Sequence, residues 1–265
     1  MNKTIVLFDM DGTLTEPRSS FEDKDLGDAL YQLTNMGIHV GIVTGSDLNY
    51  LKQQMGVFLD RSTSRYKTHL LPCNGTKYLR PPNFANENHQ LISEVSMCDH
   101  LGSENYRKLI KEVIDLQMEI SDNDIPLSGH FIDYRGSMVN WCPIGREATK
   151  EQRQQFKKID NHQNLRVNTL DTLNSQLEWL GIEDKVTTKL GGDTSFDIYP
   201  TGWDKTYALR HFPDWDVWFV GDRCCLNGND YEIFNACKGQ SFVTYGPKKT
   251  AKIIRDIIIK IRGNK

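Results

Sequence analysis

The stretch that most constrains this 265-residue chain is Ile5-Val6-Leu7-Phe8-Asp9-Met10-Asp11-Gly12-Thr13. Four consecutive apolar residues, mostly β-branched or aromatic, suit a strand buried on both faces, and Asp-x-Asp-Gly-Thr stops it abruptly. Two carboxylates therefore arrive at a strand's C-terminal edge, where open parallel α/β sheets bind their ligands. Acids so close repel unless a cation or proton stands between them. An Asx turn closed by Gly12 explains the same residues without chemistry, so the motif needs support from elsewhere in the chain.

The next segments supply a parallel framework. Leu26, Ala29, Leu30 and Leu33 recur at helical spacing, with Gly37 where a C-terminal cap would fall. Ile38 to Val43 reads as a second buried strand ending in Thr44-Gly45-Ser46-Asp47, and Leu48, Leu51 and Met55 continue as a helix for which Asp47 is the natural N-cap. A β-α-β-α order implies a parallel sheet. Leu70 to Leu79 suggests a hairpin turning at Asn74-Gly75, and Pro81-Pro82-Asn83 reads as a linker.

The pattern then changes. Helical periodicity near 103–118, 149–159 and 170–180 is interleaved with short strands at 131–134, 138–141 and 195–199, as in an α+β unit. After Pro200-Thr201-Gly202 the first pattern resumes: a helix from about 203, a strand at Asp216 to Val220 followed by Gly221-Asp222, a strand at 240–245 and an Ile-rich helix from Lys248. The expectation is an α/β core domain of residues 1–83 and 200–265, interrupted by an inserted domain of residues 84–199.

Composition narrows the function. A net charge of −3 argues against nucleic acid or an acidic membrane surface as partner, since both are held by strongly basic surfaces. No apolar run has the signal-peptide pattern or the length of a membrane span, so a soluble cytoplasmic protein is expected. The six cysteines lack zinc-ligand spacing and read as reduced thiols; the seven histidines are scattered and carry no assigned chemistry.

Each strand end of the core delivers a chemically suitable group: Asp9 and Asp11, then Thr44 and Ser46, then Asp222, with Lys205 opening a helix of the same domain. Together they describe a phosphoryl-transfer site with a carboxylate nucleophile, a second carboxyl for acid/base work, a neutralising lysine and a magnesium position. Asp9 and Asp222 with the Met10 carbonyl could hold the ion, and Asp11 is also expected among the metal residues. The inserted domain is acidic overall, yet Arg135, Arg146 and Arg153 fall within one short window of it, and Thr149 to Gln152 is a capping-box pattern. Arg146 and Arg153 thus flank a helix N-terminus, a ready anion site, although surface arginines paired with carboxylates would look the same.

These motifs resemble those of the haloacid dehalogenase (HAD) superfamily, and most closely its eukaryotic-type phosphomannomutases. The likeness runs along most of the chain: Asp9 to Thr13, Arg18, Asn74-Gly75, Phe131 to Asn140, Pro143-Ile-Gly-Arg146, Glu151-Gln-Arg153, Gly191-Gly-Asp-Thr-Ser195-Phe-Asp197, Gly202-Trp-Asp-Lys205 and Gly221-Asp222 with Asn229-Asp230. The resemblance implies a HAD-like Rossmannoid parallel-sheet core with an inserted α+β cap of antiparallel sheet plus helices. It makes Asp9 the nucleophile, Asp11 the general acid/base and Lys205 the counter-charge of a phosphoaspartate. Ser46 or Thr44 would bond the phosphoryl oxygens, a choice left open because Thr44 replaces the glycine usual in the mutases. Arg18, Arg135, Arg146, Arg153, Ser195 and Asp197 match substrate-binding positions. Mg2+ and a hexose 1,6-bisphosphate activator are the implied cofactors, a hexose phosphate the substrate, and a homodimer through the cap the implied assembly.

The chain also departs from the pattern. Arg223-Cys-Cys-Leu-Asn227 replaces the usual residues after Asp222, and Ala236 and Gly239 stand where the family binds a second, structural cation, so that ion is not expected here. The expected activity interconverts mannose 6-phosphate and mannose 1-phosphate, with glucose phosphates as secondary substrates. A sugar-phosphate phosphatase on the same fold is the alternative, with water attacking the phosphoaspartate. A catalytically silent binding protein is disfavoured by the intact Asp9, Asp11, Lys205 and Asp222.

Overall fold

The computed structural model describes residues 3–226 and 228–263, leaving Asn227 outside, and the chain divides into two compact units. The first runs to Glu94 and resumes at Asp204; the second is Val95–Trp203. The first unit thus reaches past the expected junction at 83, because residues beyond the Pro81-Pro82 linker still pair with its sheet.

That sheet has seven strands: β1 (Thr4–Phe8), β2 (His39–Val43), β3 (Thr68–Leu71), β4 (Lys77–Arg80), β5 (Gln90–Glu94), β10 (Asp216–Gly221) and β11 (Ser241–Val243). Their spatial order is β11-β10-β1-β2-β3-β4-β5. The strands from β11 to β3 are parallel, and β4 and β5 add an antiparallel edge. The chain leaves β1 toward β2 and later returns on its other side at β10, so β1 and β10 form the topological switch point where this architecture places its ligands.

Period-two alternation along β1 explains its double burial. Val6 and Phe8 enter a core completed by α1 (Lys24–Asn35), α2 (Leu48–Arg61) and α8 (Pro247–Gly263), whereas Ile5 and Leu7 face a second core with Ala208, Phe212, Phe219 and Ile233, the last from α7 (Tyr231–Ala236). Each such buried side chain contributes about 1.5–3 kcal/mol. On α1 the expected Leu26, Ala29, Leu30 and Leu33 face is buried, and the Asp23 side chain caps the helix through Leu26 N–H at 2.9 Å. On α8 the Ile253, Ile254, Ile257, Ile258 and Ile261 stripe is buried in the same core.

The β3–β4 connection differs from the expected two-residue turn. It is a 3₁₀ turn at Cys73–Gly75 in which Cys73 and Asn74 both take positive φ, and Gly75 has no room for a side chain beside Ala208. The helix expected from about 203 is the 3₁₀ helix Lys205–His211.

The second unit holds an antiparallel sheet in the order β6-β7-β9-β8: β6 (Ile132–Tyr134), β7 (Val139–Trp141), β8 (Val186–Gly191) and β9 (Ser195–Pro200). With it come α3 (Met97–Leu101), α4 (Ser103–Ser121), α5 (Lys150–Gln163) and α6 (Leu165–Trp179). Trp141 stacks on Phe196 at 4.5 Å between centroids and donates its indole N–H to Gln117 on α4. β5, β8, α3 and α7 escape the sequence reading. Helix α6 begins ahead of the expected 170 because one left-handed residue, Asn164, separates it from α5 without glycine or proline. Among the described residues no helix is long and apolar enough to cross a membrane, and no cysteine is in a disulfide.

Two histidines prove to be satisfied core groups. His69 on β3 shares one ring nitrogen with His39 at 2.9 Å and the other with the Tyr78 hydroxyl at 3.0 Å, and the Phe212 and Trp215 rings meet it edge-on. Burial lowers His39 to about 4, with Lys67 and Lys3 adding to the effect, and His69 to about 3, with His39, His89, Lys3 and His211 adding to it. Bases depressed in the folded state contribute stability that is complete above their unfolded value near 6.5 and is lost as pH falls toward the folded values. Thermal unfolding followed from pH 7 downward will show Tm dropping below about pH 6.5, and His69→Gln will flatten that slope while costing about 1 kcal/mol at neutral pH.

Candidate active site

The C-terminal ends of β1, β2 and β10 bring the reactive groups of the first unit together. Asp9 directly follows β1, and its N–H bonds Val220 O at 3.0 Å, locking the two strand ends in register. Asp222 directly follows β10. Lys205 opens the 3₁₀ helix that Asp204 caps through Thr206 N–H at 2.8 Å. This cap aims the lysine inward: Lys205 is 1 % exposed, donates to Asp9, and donates to Asp230 at 2.6 Å.

Asp230 is the residue that sequence reasoning missed, although its motif was visible. It is completely buried, and it organises the loop after β10: Arg223 N–H donates to Asp230 Oδ2 at 3.1 Å, and Asp230 N–H donates to Arg223 O at 3.2 Å. Oxygens of Asp9, Asp222 and Asp230 lie within 4.8 Å of one another, the one group of three or more potential metal-ligating side chains among the described residues. Glycines make this convergence possible. A methyl group on Gly12 would collide with the Asp222 carboxylate, and one on Gly221 with that of Asp230.

Electrostatics follow from three acids sharing one ammonium. Burial pushes Asp9 well above the usual carboxylate range; Lys205 opposes this, and the charges of Asp230 and Asp222 reinforce it. Burial and then Asp230 raise Asp222 as well. Burial alone would lower Lys205, but Asp230 and Asp9 outweigh it and hold the ammonium above its ordinary value. Lys205 is therefore charged, and the surplus negative charge must be balanced by a proton or a cation. Hard carboxylate oxygens in a buried cluster suit a small divalent cation such as magnesium.

The Asp11 side chain is not part of this group of three acids. Its Oδ1 accepts from Arg18 N–H at 3.0 Å and from the Tyr50 hydroxyl at 3.2 Å. Arg18 itself is exposed, so its contact here is through the backbone. After β2, Thr44 is buried and its hydroxyl accepts from Ser46 N–H at 3.1 Å, leaving both hydroxyls beside the β2 end. Asp47 caps α2 through Tyr50 N–H at 2.8 Å, as its position implies.

In the second unit Asn140 on β7 is a hub to which its motif alone assigns no role. Its amide donates to Asp197 Oδ1 at 2.7 Å and Ser195 Oγ at 3.1 Å, and its carbonyl oxygen accepts from Arg146 at 2.9 Å. Cross-strand pairing places Asn140 opposite Asp197, and Gly191 leaves room for that carboxylate. Arg135 pairs with Asp133 at 2.9 Å. Arg153 is largely committed to the protein: it reaches the carbonyls of Gly145, Arg146 and Ala148 and the Thr194 hydroxyl, bracing the turn that carries Arg146. The Thr149 and Gln152 capping box is formed at the start of α5, as its spacing indicates.

A family model described as eukaryotic phosphomannomutase matches residues 26–260. Phosphomannomutase 1 of Dictyostelium discoideum is 34% identical over 262 residues, covering 97% of each chain. A phosphomannomutase of Drosophila melanogaster is 32% identical, covering 97% of this chain and 96% of its own. Among solved structures, Plasmodium falciparum IMP-nucleotidase bound to IMP superimposes with a TM-score of 0.68 at 11% identity, over 97% of this chain and 67% of the other. Trehalose-6-phosphate phosphatase of Aspergillus fumigatus gives 0.51 at 17% identity, over 97% and 92%. These structural likenesses concern the fold.

If the acidic triad holds a divalent cation, magnesium will raise the thermal midpoint. At about 100 times its dissociation constant it adds roughly 2.7 kcal/mol. Asp222→Asn will diminish that gain in a denaturation series with and without magnesium, and an undiminished gain would place the cation elsewhere.

Proposed function

The chain belongs to the eukaryotic phosphomannomutase family and is an enzyme of that type, and we propose that it interconverts mannose 6-phosphate and mannose 1-phosphate through a phosphoaspartyl enzyme and a hexose 1,6-bisphosphate. The observation that carries this reading is the burial of Asp9 against Lys205 at the switch point of the sheet. An Asp9 oxygen attacks phosphorus as the bond to the sugar oxygen breaks, and Asp11 supplies the proton that the departing oxygen needs. In the return transfer a sugar hydroxyl attacks the phosphoaspartate and gives its proton to Asp11. The Lys205 ammonium offsets the charge on Asp9, and Thr44 and Ser46 offer hydroxyls to the phosphoryl oxygens.

Asp9, Asp222 and Asp230 are the side chains that would hold Mg2+. When bound, the ion withdraws charge from the phosphoryl oxygens and relieves the repulsion among the three acids. Asp11 is proposed for proton transfer and not as a side-chain ligand, since its carboxylate is engaged by Tyr50 and Arg18.

In the second unit Arg135, Arg146, Ser195 and Asp197 are proposed to hold the sugar and the phosphate that is not being transferred; Arg18, in the first, is proposed separately as a substrate-binding residue. The Asn140 hub supports this assignment because it ties Arg146, Ser195 and Asp197 into one rigid set. Arg153 acts by bracing Arg146. Retention of the bisphosphate while it reverses its orientation separates a mutase from a phosphatase, and a second phosphate-binding group serves that end. A homodimer through the second unit and a cytoplasmic location complete the proposal.

The decisive assay supplies mannose 1-phosphate, magnesium and a catalytic amount of glucose 1,6-bisphosphate. Mannose 6-phosphate is the expected product; stoichiometric inorganic phosphate without it would overturn the mutase reading in favour of a phosphatase. Asp9→Asn will abolish turnover, and Arg146→Ala will raise KM by roughly tenfold or more through loss of charge-assisted hydrogen bonds.

A further inference from the structure

Tyr50 is held from three directions. Its backbone N–H is fixed by the Asp47 cap at 2.8 Å, its ring packs with Leu48 against the core of the first unit, and its hydroxyl donates to Asp11 Oδ1 at 3.2 Å. The first two contacts set the third, because the cap places Tyr50 in the first turn of α2 and the core orients its ring. A phenol O–H has one proton to donate, and here it is directed at Asp11 Oδ1.

The same oxygen accepts a second bond, from Arg18 N–H at 3.0 Å. Arg18 reaches it with φ of 61°, in the left-handed region that bulky side chains seldom adopt. Two donors from separate segments, one with an unfavourable backbone conformation, thus converge on one oxygen of one carboxylate. A carboxylate oxygen has two lone pairs, and both on Oδ1 are used by these bonds.

We propose that Tyr50 is a positioning residue for the acid/base step: with Arg18 N–H it saturates Asp11 Oδ1, so that Oδ2 is the oxygen that exchanges the proton with the sugar. This inference rests on the proton-transfer role of Asp11 in the reading above. The proton balance is closed. As the Asp9–phosphorus bond forms and the phosphorus–sugar oxygen bond breaks, the proton on Asp11 Oδ2 passes to the sugar oxygen, leaving a carboxylate. In the return transfer the attacking sugar hydroxyl gives its proton back to Oδ2, and the phosphorus–Asp9 bond breaks. Without Tyr50 the carboxyl can rotate, and the proton is no longer presented from a fixed atom.

Tyr50→Phe tests this, since it keeps the ring in the core and removes only the hydroxyl. In the magnesium assay with mannose 1-phosphate, kcat is expected to fall roughly tenfold at unchanged KM, part of what a positioned general acid contributes. In single turnover with aryl phosphates, phenols that leave poorly should be slowed more than those that leave well, steepening the dependence of rate on leaving-group pKa. Undiminished kcat, a change confined to KM, or equal slowing of sugar and aryl substrates would overturn the proposal. Wild-type protein that forms no mannose 6-phosphate would instead count against the mutase reading.

Discussion

One buried ammonium among three carboxylates is the constraint on which the first unit depends. Lys205 touches Asp9 and Asp230, both buried, and Asp222 lies within reach of the same cluster. Such an arrangement is not a good way to stabilise a fold, since desolvating ions costs more than a simple pair returns. Its persistence requires the surroundings to be rigid. The sheet provides that rigidity through β1 and β10, both buried on two faces, and the Asp204 cap provides it for the lysine. The cluster thus holds more negative than positive charge, an excess that a proton or a cation would offset.

Much of this was legible because chemistry and topology coincide in the sequence. Apolar runs that stop at Asp9, Thr44 and Asp222 announce strand ends, and parallel order brings those ends to one edge. Asp230 was harder to assign. It lies in a loop rather than at a strand end, and its burial follows only once Gly221 leaves space for it. Tyr50 was invisible for another reason: its contact spans 39 positions and depends on a side-chain orientation that helical periodicity does not encode. The β5 strand was hidden because its residues are mostly exposed and lack the buried pattern of the inner strands.

The second unit shows a different division of labour. Three arginines in a short window looked equivalent in the sequence, yet their surroundings separate them. Arg146 joins Asn140 and through it Ser195 and Asp197, whereas Arg153 is occupied by carbonyl oxygens of the turn before α5. A guanidinium spent on backbone carbonyls fixes a turn; one bonded to the Asn140 amide joins a network of side chains. Spacing alone cannot distinguish these uses, because both demand a planar, permanently charged fork.

The room left by Gly12 and Gly221 has a consequence for how related sequences are read. Each glycine sits where any side chain would occupy the volume of an acid essential to the cluster, so glycine and acid form a complementary pair. A homologue that retained every aspartate but carried alanine at either glycine would look intact in a motif search while being unable to assemble the cluster. Conversely, an acid replaced by a smaller group would relax the demand on its glycine. In sorting active members of such a fold from inactive ones, the residues without side chains are as diagnostic as the acids themselves.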